Sequence, residues 1–189
     1  VYNVMRLLEN HDVDRFLTKA PKDLNAYKQA VTVLLTVPGI PQLFYGQEFL
    51  FSGTTQEFGF EGIRPDMPGG WKEDTVSLFT EEGRSPMQQE AFSFMQKLLQ
   101  WRKGNEVVSK GSMKHFMPRN NVYVYQREYK GKSFIVVMNG VSQESELPLD
   151  HYQEILKDKP FGTDVISGRK VLLKESLKLA PKEVLVLEL

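Results

Sequence analysis

The residues best suited to chemistry stand together near the start of the chain: Glu9, Asn10, His11 and Asp12. An imidazole beside a carboxylate can hydrogen-bond neighbouring hydroxyl groups, and a carboxylate can stabilise positive charge that develops on a substrate. Asp14 and Arg15 follow directly. The pattern alone leaves two interpretations open, a functional loop and a solvated connection between a strand and a helix.

Regular elements on both sides are expected to hold this polar loop in place. Residues 1–8 are mostly apolar and predict a buried strand that ends at the polar cluster. Asp23 can cap a helix whose apolar residues recur at helical spacing as far as Leu35. Residues 42–45 predict a second strand, so strand, helix and strand together have the size of a parallel βαβ unit.

The next two segments have opposite characters. Residues 49–82 are rich in glycine and proline and show no regular period, yet they contain aromatic side chains, which disordered segments lack. We therefore expect a functional loop. Ser85, Pro86 and Gln88 have the residue types of a helix N-cap, first position and third position, and predict a helix that ends near Arg102.

The last part of the chain consists of short β-rich runs separated by turn residues, which is typical of an antiparallel β-sandwich. The predicted strands cover residues 113–117, 122–129, 132–138, 145–148, 163–166, 171–173 and 184–189. One short helix is predicted at residues 151–156. The sequence therefore predicts an α/β region at residues 1–105 and an all-β domain at residues 106–189.

Composition narrows the class of function. The 189 residues carry 24 basic and 24 acidic side chains, and this balance gives no field that would attract nucleic acid or an anionic membrane. The chain has no cysteine, and no apolar run reaches the roughly 18 residues that a membrane helix needs. His115 and His151 lack ligand spacing for zinc, so we interpret them as surface or packing residues and expect no metal site.

Several segments resemble one known family. Residues 7–12, Leu-Leu-Glu-Asn-His-Asp, resemble the fourth short sequence region of the α-amylase family, glycoside hydrolase family 13. Residues 39–48 are similar to the G-I-P-x-x-Y-Y-G-x-E segment on the eighth barrel strand of that family. Residues 63–71 resemble the neopullulanase and cyclomaltodextrinase branch, and the β-rich remainder is similar to the C-terminal domain of that branch.

The resemblance implies a fold and a set of roles. Residues 1–8 and 42–45 would be the seventh and eighth strands of a TIM (β/α)₈ barrel, followed by the antiparallel β-sandwich. Asp12 would be catalytic, as the carboxylate that stabilises the transition state, and His11 would bind the sugar. Arg15 would shape the substrate subsite or form a loop salt bridge with Asp12 or Asp14. Trp71 would stack on a sugar ring or pack internally.

The implied activity is cleavage of α-1,4-glucosidic bonds by a retaining α-glucan hydrolase that acts on maltooligosaccharides without a cofactor. Such an enzyme needs a nucleophile and a general acid, and no motif for either stands in these residues. We therefore expect a C-terminal portion of a longer enzyme, inactive by itself and prone to self-association, since two strands cannot close a barrel. The alternative is a non-catalytic carbohydrate-binding or structural module, in which Tyr123, Tyr125 and Tyr129 share one strand face.

Overall fold

The computed structural model describes residues 2–20 and 23–189, which form two compact units. One unit comprises residues 5–20, 23–34 and 41–96, and consists mainly of helices and loops. The other comprises residues 2–4, 35–40 and 97–189, and consists mainly of antiparallel strands.

Two short strands flank the polar loop and the two helices that follow it. They are β1 (Met5–Arg6) and β2 (Ile40–Pro41). The N–H groups of Ile40 and Gln42 donate hydrogen bonds of 2.9 and 2.8 Å to the carbonyl oxygens of Val4 and Arg6. Equal steps in the same direction along both chains are the pattern of a parallel pair.

Both strands differ from the prediction. The first covers only part of residues 1–8, and the second lies before residues 42–45 rather than on them. The reason is local, because the chain turns at Phe44, whose carbonyl oxygen accepts from the N–H of Gln47 at 3.2 Å. Residues 44–47 therefore form a turn that leads into the 3₁₀ helix Gln47–Phe49, instead of extending the strand.

Helices occur mostly in the first half of the chain. They are α1 (Phe16–Lys19), α2 (Leu24–Thr36), α3 (Thr55–Phe58), α4 (Pro86–Arg102), α5 (Glu106–Lys110) and α6 (Gln153–Leu156). Four 3₁₀ helices add to them at Gln47–Phe49, Gly59–Ile63, Glu81–Gly83 and Asp150–Tyr152. Within the described residues, no helix combines the length and hydropathy that a membrane crossing requires.

The two predicted helix starts are confirmed by their caps. The Asp23 carboxylate accepts from the N–H of Ala26 at 2.9 Å, one turn into α2. At α4 the Ser85 hydroxyl accepts from the N–H of Gln88 at 3.3 Å, and the Gln88 side chain accepts from the N–H of Ser85 at 3.0 Å. This reciprocal pair is a capping box.

The β-rich part of the prediction is confirmed as two antiparallel sheets. The strands are β3 (Ser112–His115), β4 (Val122–Tyr129), β5 (Lys132–Asn139), β6 (Ser145–Pro148), β7 (Phe161–Asp164), β8 (Lys170–Leu172), β9 (Ser176–Leu179) and β10 (Val184–Glu188). Six of them form a sheet in the order β3-β4-β5-β10-β7-β8, and β6 pairs with β9. The prediction missed β9, which is only four residues long.

One hydrophobic core joins the two sheets. Val124, Val137 and Leu185 lie next to one another across β4, β5 and β10, and all three are buried. They belong to the same cluster as Leu147 of β6 and Leu179 of β9. Alternate residues of each strand therefore meet between the sheets, as in a layered β structure.

The opposite face of β4 is also covered. Tyr125 is fully buried, and its hydroxyl is hydrogen-bonded to the hydroxyl of Thr36 at the end of α2. Arg127, also fully buried, donates to the backbone carbonyls of Thr36 and Val108. Tyr125 is therefore a packing residue, and this part of the tyrosine face offers no open platform for a sugar.

The two isolated histidines occupy packing and surface positions, as predicted. The ring of His151 lies 6.0 Å from the ring of Phe116 and 5.2 Å from that of Tyr152. His115 is exposed on β3.

Candidate active site

A buried ion pair holds the two ends of the polar loop together. Glu9 and Arg15 stand six residues apart, and Nη1 of Arg15 lies 2.8 Å from Oε1 of Glu9. Their side chains are 2% and 0% exposed. The other carboxylate oxygen of Glu9 accepts from the N–H of Phe16, the first residue of α1, at 2.7 Å. The loop is thus closed by charge-assisted hydrogen bonds away from water.

Arg15 also links this loop to two other segments. Its Nε donates to the carbonyl oxygen of Ile63 at 2.9 Å, and Nη1 donates to that of Tyr45 at 2.7 Å. The guanidinium carbon lies 4.1 Å from the centre of the Phe44 ring. One arginine therefore connects the polar loop, the segment after β2 and the middle of the segment 49–82.

These contacts correct the expectations for Arg15. Its predicted salt bridge to Asp12 or Asp14 is wrong, because the ionic partner is Glu9. A side chain with no exposed surface cannot touch a sugar directly. Arg15 therefore supports the polar loop from inside the fold, through its bonds to Glu9, Tyr45 and Ile63.

Asn10 forms the turn that presents the next two side chains. Its side-chain oxygen accepts from the N–H groups of Asp12 and Val13 at 2.8 and 3.1 Å, which is the bonding of an Asx turn. His11 and Asp12 project from this turn and are more than half exposed. Nε2 of His11 lies 3.1 Å from Oδ2 of Asp12. The structure thus brings together an exposed imidazole and an exposed carboxylate, on a loop whose ends are held by the buried Glu9–Arg15 ion pair.

Arg64 is a third member of this cluster, and its place there was not predicted. Its Nε and Nη2 donate to the carbonyl oxygen of His11 at 2.9 and 2.6 Å, and Nη2 lies 3.3 Å from Oδ1 of Asp12. Arg64 stands 52 residues beyond Asp12, inside a segment without periodicity. Its membership in the 63–71 motif was the available signal, but spacing alone gave no reason to pair it with the polar loop.

The loop is anchored at its far end as well. Oδ1 of Asp14 accepts from the N–H and the hydroxyl of Thr55 at 2.8 and 3.2 Å. The backbone hydrogen bond from Thr55 lowers the pKa of the Asp14 carboxyl. The hydroxyl of Thr18 bonds to the backbone of Gly53, donating to its oxygen at 2.6 Å and accepting from its nitrogen at 2.8 Å.

Two glycines allow the anchoring segments to touch. A methyl group on Gly53 would lie 1.9 Å from the carbonyl oxygen of Gly62, and one on Gly62 would lie 2.4 Å from the carbonyl oxygen of Thr54. Only hydrogen fits at either position without a shift of the backbone. Glycine at both places therefore lets the chain at 53–54 pack against the chain at 62, next to Ile63 and Arg64.

Three aromatic residues of the same unit, Trp71, Tyr45 and Phe44, have different surroundings. Trp71 is 63% exposed, and its backbone N–H donates to the carboxylate of Asp74 at 3.1 Å. Tyr45 is partly exposed and donates its hydroxyl to the carbonyl oxygen of Pro65 at 2.8 Å. The Phe44 ring is half-buried beneath Arg15. The indole of Trp71 is therefore the most accessible of the three.

Other carboxylates nearby do not join the exposed cluster. Glu48 is half-buried, and desolvation raises the pKa of its carboxyl group. Glu61 lies exposed in the 3₁₀ helix Gly59–Ile63. Across residues 2–20 and 23–189, no group of three or more histidine, aspartate or glutamate side chains is placed to hold a metal ion.

Comparison with known proteins places this arrangement in a family. Residues 113–188 match the family model described as the cyclo-malto-dextrinase C-terminal domain. Over 161 residues the chain is 30% identical to the cyclomaltodextrinase of Thermoanaerobacter pseudethanolicus, covering 82% of this chain and 25% of that protein. It is also 30% identical over 177 residues to a cyclomaltodextrin glucanotransferase of Bacillus sp. strain 6.6.3, covering 89% of this chain and 22% of that protein.

The chain belongs to the α-amylase family. An Anoxybacillus α-amylase structure superposes with a TM-score of 0.73 at 20% identity, covering 99% of this chain and 38% of that one. The γ-CGTase of alkalophilic Bacillus clarkii superposes with a TM-score of 0.69 at 26% identity, covering 97% and 26%. This member of the family thus spans about a quarter of the length of the relatives that it matches in sequence.

Proposed function

We propose that these 189 residues contribute to a retaining α-glucan hydrolase that cleaves α-1,4-glucosidic bonds. In this proposal residues 1–105 supply the seventh and eighth strands of a (β/α)₈ barrel with their helices, and residues 106–189 form the C-terminal sandwich. Membership of the α-amylase family supports the class of enzyme. The position of the polar loop directly after β1, one strand of a parallel pair, agrees with the usual place of barrel active sites.

The observation that carries the proposal is the exposed His11–Asp12 pair on its buried support. Asp12 presents a carboxylate to solvent, while the buried side chains of Glu9 and Arg15 form an ion pair with each other. An exposed carboxylate can accept hydrogen bonds from sugar hydroxyls and stabilise the oxocarbenium-like transition state of glycoside cleavage. His11 can donate to a neighbouring hydroxyl, and the indole of Trp71 offers a surface for a sugar ring.

The reaction needs two further carboxylates. A retaining glycosidase places its nucleophile and its general acid about 5–5.5 Å apart across the bond that breaks. Neither role is assigned to Glu48 or Glu61, which match no family position for it. We therefore expect the 189 residues alone to leave α-glucans uncleaved.

The test replaces Asp12 with asparagine in the complete gene product. Asp12→Asn keeps the size of the side chain but removes the charge that would stabilise the transition state. We expect kcat on maltoheptaose to fall by about 10³-fold or more, as for loss of a strong electrostatic contribution, while the circular dichroism spectrum is retained.

Asp158→Asn is the matched control, because Asp158 is exposed on the β-rich unit and has a positive φ that asparagine tolerates. The control should keep wild-type turnover. Near-wild-type turnover in Asp12→Asn would refute the role proposed for Asp12.

A further inference from the structure

Arg64 and His11 hold different oxygens of the Asp12 carboxylate. Oδ1 lies 3.3 Å from Nη2 of Arg64, and Oδ2 lies 3.1 Å from Nε2 of His11. Arg64 also donates twice to the carbonyl oxygen of His11, at 2.9 and 2.6 Å. One guanidinium therefore holds the backbone of the pair and one oxygen of its carboxylate, while His11 holds the other oxygen.

The segment that carries Arg64 is itself anchored on both sides. The carbonyl oxygen of Ile63 accepts from the buried Arg15 at 2.9 Å, and the carbonyl oxygen of Pro65 accepts from the Tyr45 hydroxyl at 2.8 Å. The Arg64 guanidinium carbon lies 4.7 Å from the centre of the Phe60 ring. With both neighbouring carbonyls tied and its charged group resting on a ring, Arg64 is held in place before any ligand arrives.

We propose that Arg64 is a positioning residue, which acts on catalysis through His11 and Asp12 rather than by touching substrate. This inference rests on the function proposed above. An exposed ion pair contributes little to stability, so the value of this contact lies in geometry. A carboxylate that must meet particular hydroxyls and a particular developing charge works only when its orientation is fixed.

Steady-state kinetics distinguish a positioning role of Arg64 from a direct contact with the sugar. Loss of a positioning residue misplaces Asp12 in the transition state, which lowers kcat and leaves KM nearly unchanged. A direct sugar contact by Arg64 would have the opposite signature, with a raised KM and an unchanged kcat.

The experiment compares Arg64→Ala, Arg64→Lys and Arg84→Ala in the complete gene product, with maltoheptaose as substrate. We expect Arg64→Ala to lower kcat by about 10- to 100-fold, since a misplacement of about 1 Å can cost that much. Arg64→Lys keeps the charge but cannot hold the carbonyl with a planar fork, so its kcat should lie between those of the wild type and Arg64→Ala. Arg64→Lys also keeps the test valid if the alanine variant folds poorly.

Arg84→Ala is the matched control. Arg84 lies in the same unit, donates to the carbonyls of Leu78 and Phe79, and rests 3.8 Å from the centre of the Phe92 ring. Within the described residues Arg84 also donates to the side chain of Gln89 and lies 5.3 Å from the centre of the Phe49 ring, so these contacts are made away from the His11–Asp12 pair. Both alanine variants thus remove an arginine that is held by backbone carbonyls and an aromatic ring. Only Arg64→Ala should change kcat by more than about twofold.

Two outcomes overturn the inference, and Asp12→Asn tells them apart from failure of the proposed function. If Asp12→Asn abolishes turnover while Arg64→Ala matches Arg84→Ala, Arg64 does not position the site. If Arg64→Ala raises KM and leaves kcat unchanged, Arg64 binds the sugar itself. If Asp12→Asn has full activity, the proposed function fails first, and the role of Arg64 fails with it.

Discussion

Glu9 and Arg15 show how a charged pair inside the fold can serve a site without touching its ligand. Both side chains are buried, and Arg15 satisfies two backbone carbonyls besides Glu9. Removing two charges from water is costly, so such a pair adds little net stability over an apolar pair of the same shape. Its contribution here is to tie the polar loop to the segments around Tyr45 and Ile63.

Breaking this pair from one side should be far worse than replacing both partners. Arg15→Met leaves the Glu9 carboxylate buried without its cation, and should lower the free energy of unfolding by about 3–5 kcal/mol. The double variant Glu9→Gln with Arg15→Met should lose less than Arg15→Met alone, because no uncompensated charge remains. Urea unfolding of the 189-residue chain measures both.

The exposed pair Lys110–Glu106, with its atoms 2.6 Å apart, is the control for this cycle. Lys110→Met should change the free energy of unfolding by less than about 1 kcal/mol. The free energy of unfolding is also measured for the single variant Glu9→Gln. If the double variant loses as much of it as Glu9→Gln and Arg15→Met added together, Glu9 and Arg15 are not a coupled pair.

At the scale of elements, the helices followed local rules and the strands near the site did not. Helix α4 starts at its predicted capping box because the bonds between Ser85 and Gln88 are made within one turn. The strand predicted at residues 42–45 failed because a tight turn at Phe44 competes for the same residues. Strand β9 was missed because its four residues are too few to show a clear local pattern, and they form a strand by pairing with β6.

The cap of α4 can be tested without touching the site. Ser85→Ala removes the hydroxyl that accepts from Gln88, and should lower the free energy of unfolding by about 1 kcal/mol. Ser142→Ala, at an exposed serine in a loop, should leave it unchanged. Thermal unfolding followed by circular dichroism compares the two, and equal melting temperatures for both variants would show that the box is dispensable.

At the scale of the whole molecule, strands β1 and β2 form a sheet of their own. In the described residues β1 and β2 form a sheet of two strands, and neither pairs with a third strand. Met5 and Ile40 on these strands are 61% and 55% exposed. Apolar side chains beside unpaired strand edges favour association with another chain.

The chain studied by itself should therefore self-associate, and light scattering should report a mass above 21.7 kDa that rises with concentration. Met5→Lys places a charge on the strand pair and should reduce the association. Met117→Lys, at a methionine that is 80% exposed beyond β3, should not. A monomer at every concentration, with or without Met5→Lys, would rule out this prediction.

The helix caps, the antiparallel strands beyond residue 105 and the loop that carries His11 and Asp12 could be predicted from the sequence, because caps, alternation and turn residues act within a few positions of one another. The burial of Arg15 against Glu9 and the contact of Arg64 with Asp12, 52 residues away, became visible only in the folded chain. Both arginines are placed by hydrogen bonds to the backbone of distant segments. Any sequence spacing can satisfy such bonds once the chain has folded, so no local pattern records them.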